Sequence, residues 1–341
     1  MANMISDAWS MAVAVPFPEI VPDCYEPLGT EPAFDPAVHL ALEDPVEVTL
    51  LTDLGYGEHE IATKATPIAA SAPFRILSDE GATVMLDVAR RLKVHRYSAG
   101  DRIENVVRGG CYRSTWLRDL CTSQDLNAHL EKIYGIEIAP HPMPLQLGHI
   151  NYEPSTPDTA IDKWHHDTLP LDFVMTVTDP ALVDGGRFEY FVGTRAEAEA
   201  LREAGAMPPS ERVVTPDFAG PGWAIALHGD MVVHRAGPLN SLTERISLVN
   251  GYVALDTTRD EQSRTNALLS VDPPAVVAAE WARFAAWRAQ GRLATLIDSV
   301  PFDAGAEVVA SALERAVEDV ERAIAQMRDR GEPEFHHYER S

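Results

Sequence analysis

Ile161-Asp162-Lys163-Trp164-His165-His166-Asp167 is a short β-prone run between turn signals. Side chains on a strand alternate faces, so residues two apart project together. His165 and Asp167 then share one face. His166 projects oppositely, which makes it a packed or surface residue. An imidazole beside a carboxylate supplies two corners of a metal site. Taken alone, such a pair is more often a hydrogen-bonded structural histidine.

The surroundings of this run set the fold class. Further short β-rich runs occur at Leu145–Tyr152, Leu171–Thr178, Arg187–Val192, Trp223–Leu227, Met231–His234 and Arg245–Ala254. Such a series predicts a sandwich or barrel rather than a parallel sheet. The expectation is a mainly β core with flanking helices. Ser78 is an N-cap for a helix running to about Lys93. One helical stretch is expected from Ser114 to Gly135, and a shorter helix over Arg195–Ala204 behind a Thr194 cap. After Asp256 the helical period returns. Trp281, Phe284 and Trp287 recur every three residues. Val309, Leu313, Val317, Val320, Ile324 and Met327 form an amphipathic stripe that predicts helix-on-barrel packing, with a homodimer contact as the other use of that face.

Three parts are expected. Residues 1–75 form an irregular, proline-rich wrap with one short strand at Val46–Leu51. Residues 76–256 form the barrel domain with its leading helices. Residues 257–341 form a helical extension packed on the core.

Across 341 residues, 28 Lys+Arg face 52 Asp+Glu, a formal net charge of −24. A nucleic-acid duplex or an anionic membrane repels such a surface, so neither is an expected partner. Hydrophobic residues make up 45% and charged residues 23%, values usual for a globular chain able to bury a core. Cys24, Cys111 and Cys121 form no CxxC pair, which points to a reducing compartment and no thiolate metal site. The apolar stretch Trp9–Phe17 has no basic region ahead of it and does not read as a signal peptide. No apolar run reaches the ~18 residues that a membrane span needs. The expected location is cytoplasmic.

His234 lies on another predicted strand, 67 residues after Asp167. Two histidines and one carboxylate form the facial triad of non-haem Fe(II) oxygenases, which leaves coordination positions open. His228 is a rival third ligand, but it precedes Gly229-Asp230 and sits near a turn. Eleven residues beyond His234 comes Arg245-Ile246-Ser247. Arg245 and Ser247 share a strand face, and a guanidinium with a hydroxyl suits a carboxylate.

In this order and strand context, His165-x-Asp167, His234 and Arg245-x-Ser247 resemble the Fe(II)/2-oxoglutarate-dependent dioxygenases. Gly185-Gly186-Arg187-Phe188-Glu189 is similar to the Gly-Gly turn and strand that often follow His-x-Asp there. Asn151-Tyr152 is similar to the family's Asn-Tyr strand beside the co-substrate. The resemblance covers about Leu145 to Ala254. It implies a double-stranded β-helix, or cupin-like jelly roll, with Fe(II), 2-oxoglutarate and O2. It implies metal ligation by His165, Asp167 and His234, and co-substrate contacts from Arg245, Ser247, Asn151 and Tyr152, with Gln146 a weaker candidate. Related halogenases carry a small residue where Asp167 stands, leaving room for halide, so hydroxylation of a small molecule is expected over halogenation. Two rivals are a cupin-like metalloenzyme that does not use 2-oxoglutarate and a non-catalytic jelly-roll binding protein. Trp164 is expected in the core. Arg108, Arg113 and Arg118 are expected on a solvated face, with substrate-carboxylate binding by one of them as the alternative.

Overall fold

The computed structural model describes residues 12–100, 102–263, 266–329 and 337–339. Most of the Trp9–Phe17 stretch falls within them, but its first three residues do not. Among the described residues, fourteen strands form two antiparallel sheets. They are β1 Val48–Leu50, β2 Ile68–Ser71, β3 Phe74–Arg75, β4 Tyr97–Ala99, β5 Ile103–Val107, β6 Ile138–Pro140, β7 His149–Asn151, β8 Ala160–His165, β9 Leu171–Thr176, β10 Phe188–Phe191, β11 Val213–Val214, β12 Trp223–Leu227, β13 His234–Pro238 and β14 Ser247–Ala254. The ten-stranded sheet runs β1-β2-β12-β9-β14-β7-β5-β4, with β3 on β12 and β6 on β14; the four-stranded sheet runs β11-β10-β13-β8.

The central strands of the large sheet, β9, β12 and β14, are buried on both faces, which explains their nearly continuous apolar runs. On β9, Phe173 and Met175 point to one cluster and Val174 to another. On β12, Ala224 and Ala226 part from Ile225 and Leu227 in the same way. Short helix α1 (Pro36–His39) precedes β1, and short helices α2 (Glu58–Ile61), α4 (Gly110–Arg113) and α7 (Arg195–Glu203) lie between strands. The first cluster is closed by helices α3 (Asp79–Leu92), α5 (Thr115–Cys121) and α6 (Gln124–Tyr134) through Val88, Leu92, Trp116, Leu120 and Leu130. In the second, Val174, Ile225 and Leu227 meet Phe188 and Tyr190 of the small sheet, so the two sheets face each other. This is the expected jelly roll with flanking helices.

Ser78 caps α3 as expected, its hydroxyl accepting from the Gly81 N–H at 3.0 Å. The predicted single helix from Ser114 to Gly135 is instead two. Ser123 caps a fresh helix by accepting from the Leu126 N–H, and α5 ends at Cys121. Residues 12–75 are also less irregular than expected. Small side chains let Ile68-Ala69-Ala70-Ser71 enter the large sheet beside β12, and β1 pairs outside it. The expected strand over Leu145–Tyr152 opens with a helical turn at Pro144–Gln146. Gly148, at φ +61°, separates that turn from β7. The strand expected at Met231–His234 begins only at His234, because the preceding residues close a turn onto the His228 carbonyl.

Three C-terminal helices follow: α8 (Asn266–Val271), α9 (Pro274–Ser299) and α10 (Ala306–Arg328). On α9, Val277, Trp281, Phe284 and Trp287 pack against Tyr112, Met143, Leu145 and Val253. The stripe on α10 does not lie on the barrel. The helix buries its alanine side, Ala312, Ala316 and Ala323, together with Asp319, which pairs with Arg288 of α9 at 2.8 Å. Leu313, Ile324 and Met327 face outward. Among the described residues, no helix is long and apolar enough to cross a membrane.

Candidate metal centre and its cavity

His165 ends β8 and His234 begins β13, and these two residues are paired across the small sheet. Their rings lie 4.2 Å apart. A bulge in β8 opposite His234–Ala236 offsets the ladder, a usual way to re-aim a side chain at a site. Asp167 lies just past the end of β8, so strand alternation is not what places it. Its N–H donates to the Gly229 carbonyl at 2.8 Å and turns the carboxylate back. One carboxylate oxygen is 3.5 Å from His165 Nε2 and the other 3.4 Å from His234 Nε2. One donor atom from each of the three residues lies within 4.8 Å of the other two.

The histidines are preset as ligands. His165 Nδ1 meets the Lys163 carbonyl at 2.6 Å and His234 Nδ1 meets the Val232 carbonyl at 2.9 Å. A carbonyl on Nδ1 holds the proton there and leaves the Nε2 lone pair for a metal. Burial, reinforced by the Arg102 cation, lowers the His165 pKa, which favours the neutral ring. Burial alone would raise that of Asp167, but the two imidazoles beside it hold it well below the usual carboxylate range. Two imidazoles and a carboxylate, mutually close and half enclosed, suit a divalent first-row metal.

The other end of the cavity is built from β14 and the glycine turn before β10. Arg245 is buried; its Nη1 donates to Ser247 Oγ at 2.6 Å and its Nε to the Gly186 carbonyl at 3.1 Å. Gly185 and Gly186 have φ of +86° and +61°, and a Cβ on Gly185 would strike the Pro238 carbonyl at 2.6 Å. The turn thus needs glycine to bring a carbonyl to Arg245. Among the described residues, no carboxylate lies within ion-pair distance of this guanidinium, and burial lowers its pKa to about 10.

Asn151 borders the cavity, with its side-chain oxygen buried and unpartnered. Tyr152, expected beside it, does not. One residue further along the chain, it points to the opposite face and packs in the helix-side core, its hydroxyl donating to the Ala89 carbonyl at 2.7 Å. Gln146 does line the cavity, and its oxygen accepts from Arg108 at 3.2 Å. His228 lies outside the triad, bonded to the Ile68 carbonyl and 3.1 Å from Asp230. Trp164 is in the core, as expected. His166 is a correction: past the strand end, it borders the cavity.

Sequence reasoning missed several wall residues. Arg102 pairs with Asp162 at 2.7 Å and reaches Asp167 at 3.4 Å. Arg108 is not solvated; it pairs with Asp272, just after α8, at 2.9 Å. His149 also lines the cavity, and burial, with help from Arg108 and Arg102, lowers its pKa to about 3. These partners are distant in sequence, and only the basic character of Arg108 gave any signal.

Residues 63–269 match the family model described as HalD, Halogenase D. The match covers more than half of the chain, which belongs to that family. No curated protein matches the chain. Among similar solved structures is AviO1 from Streptomyces viridochromogenes Tue57, at 14% identity over 61% of this chain and 96% of that one, TM-score 0.40. Another is EctD from S. alaskensis with bound Fe, at 15% identity over 71% and 90%, TM-score 0.40. A third is the non-heme alpha ketoglutarate dependent epimerase SnoN from nogalamycin biosynthesis, at 19% identity over 52% and 74%, TM-score 0.36. The chain's membership of the Halogenase D family rests on the family model alone.

Proposed function

We propose that this member of the Halogenase D family hydroxylates a C–H bond of a small molecule, consuming 2-oxoglutarate and O2 and releasing succinate and CO2. The carrying observation is the pairing of two unfinished sites in one cavity. One donor atom from each of His165, Asp167 and His234 lies within 4.8 Å of the other two, and among the described residues the buried Arg245 guanidinium has no carboxylate within ion-pair distance. A metal ion completes the first, and a dicarboxylate spanning the distance completes the second. Bound Fe(II) supplies the O2 chemistry. The residues do the rest. His165, Asp167 and His234 hold the ion, Arg245 and Ser247 orient the far carboxylate, and Asn151 offers a polar contact beside it. Arg102 fixes Asp162 and Asp167. Leu268 and Val271 help wall off the cavity from water.

The family description favours a second reading, halogenation. Asp167 argues for hydroxylation, because its carboxylate fills the position that a halide would need. A small-molecule substrate, such as an amino acid derivative or a natural-product intermediate, fits a cavity whose wall mixes charged groups with Ile103, Leu169 and Phe188. A cytoplasmic setting agrees with three free cysteines, and a homodimer through the outward face of α10 is checked by sedimentation velocity.

The test is a metabolite screen for succinate release by the Fe(II)-loaded enzyme in chloride buffer. Products that gain one oxygen support the reading. Products that gain chlorine establish the second reading, and turnover without 2-oxoglutarate removes both.

A further inference from the structure

Strand β8 carries the metal-ligand limb but is the outermost strand of the small sheet, bonded only to β13. Outer strands expose unpaired N–H and C=O groups. At Trp164 both groups are taken up by the far end of the chain. The Tyr338 N–H donates to the Trp164 carbonyl at 2.6 Å, and the Trp164 N–H donates to the Glu339 carboxylate at 3.0 Å. The Tyr338 ring is buried among Trp164, Phe191, Ala198 and Val233. Its hydroxyl is hydrogen-bonded to His166 Nδ1 at 2.7 Å.

That last bond reaches the metal centre. His166 sits between two ligands, His165 and Asp167, and itself borders the cavity. The ladder ends at His165, so strand pairing no longer fixes the backbone beyond it. Asp167 is held on one side by the Gly229 carbonyl, and His166 is held on the other by Tyr338. Ligands must stay within about 0.5 Å of their working geometry, so a hold at the residue between them bears on both. Residues 337–339 lie outside the stretch, 63–269, that matches the family model.

We propose that Tyr338 is a positioning residue of the metal centre. Acting through His166, it fixes the His165–Asp167 limb, and the C-terminal segment is a strap that completes the site. The proposal rests on reading the triad as a metal site. The contrary view makes 337–339 a plain edge cap, in which the backbone bonds matter and the hydroxyl does not.

Tyr338→Phe separates the two, because it keeps the ring and the backbone bonds. In the full chain, with Co(II) as the probe, the variant is expected to bind the metal about three- to tenfold more weakly. The visible spectrum of the bound Co(II) should change, while the metal-free melting temperature stays near wild type. In a double-mutant cycle, Tyr338→Phe should add little once His166 is alanine. A Co(II) affinity within about twofold of wild type with an unchanged spectrum overturns the proposal, and so do additive effects in the cycle. If wild type itself binds no Co(II), the metal-site reading falls, and the strap falls with it. If wild type binds and the variant is indistinguishable, only the strap is lost.

Discussion

At the triad end of the cavity, each carboxylate faces a cation or an imidazole. Asp162 is paired with Arg102, Arg102 extends to Asp167, and Asp167 bridges His165 and His234. At the opposite end, Arg245 is equally buried, with only a hydroxyl and a carbonyl beside it. Burying an unpaired charge is costly, and folding tolerates it where a ligand supplies the counter-charge. The first end is a rigid mount, stable without its ion. The second is strained until an anion arrives. The chain is strongly acidic overall, yet among the described residues Arg245 of this cavity is a buried cation with no carboxylate within ion-pair distance.

The most drastic way to break the comparison is to remove the mount. The His165→Ala/His234→Ala variant is expected to lose metal binding and all succinate formation while keeping its circular dichroism. Retained stoichiometric metal would mean that other residues are the ligands.

The two arginines should then respond with opposite signs. Arg245→Met removes a buried, uncompensated cation. It should weaken 2-oxoglutarate binding to the metal-loaded protein by about 2–5 kcal/mol, measured by calorimetry. The ligand-free protein should melt at the same temperature or higher, because a charge without a partner has been replaced by an apolar chain. Arg102→Met leaves Asp162 buried without its cation and should lower the ligand-free stability by about 3 kcal/mol, near the small end for buried pairs because Arg102 keeps some exposure. If both variants destabilise the ligand-free protein alike, the contrast between the two ends is wrong.

A third buried charge lies on α9, outside the cavity. Burial pushes the Glu280 carboxyl up to about 7, although the Leu145 N–H and the Tyr112 hydroxyl both donate to it. The folded state therefore binds more protons than the unfolded chain between the ordinary carboxyl value of 4.5 and about 7. Stability should fall as pH rises through that window and level off above it. Glu280→Gln should flatten this limb, gaining about 1–3 kcal/mol over wild type at pH 8 and nothing near pH 4. Chemical denaturation across pH checks it, and parallel curves would refute it.

The smallest effects test adjacent residues on opposite faces. Tyr152→Phe should cost about 1 kcal/mol of stability through the lost bond to Ala89, without touching 2-oxoglutarate affinity. Asn151→Ala should do the reverse, weakening the co-substrate by about 1 kcal/mol.

The legible parts of this molecule are those where chemistry and period coincide. His165-x-Asp167, His234 and Arg245-x-Ser247 could be read because a few residue types on short strands carry them. Trp223–Leu227 was read to the residue, since a continuous apolar run leaves little freedom. Other parts were hidden for physical reasons. Ile68-Ala69-Ala70-Ser71 has side chains too small to announce a strand, yet small enough to fit under β12. The break at Thr122-Ser123 depends on one hydroxyl turning to cap. Asn151 and Tyr152, expected together, parted because facing follows register, which residue identity alone does not fix. Arg102 with Asp162, Arg108 with Asp272, and His166 with Tyr338 are pairs that only the closed chain creates.

On the proposed reading, one cavity holds a metal at one end and a dicarboxylate at the other. Anaerobic titration of the Fe(II)-loaded chain with 2-oxoglutarate, followed by visible absorbance, tests this most directly. A metal-to-ligand charge-transfer band that saturates at one co-substrate per chain, and weakens in Arg245→Met, is the predicted result. Fe(II) bound at the triad with no band at any concentration of 2-oxoglutarate would contradict the account.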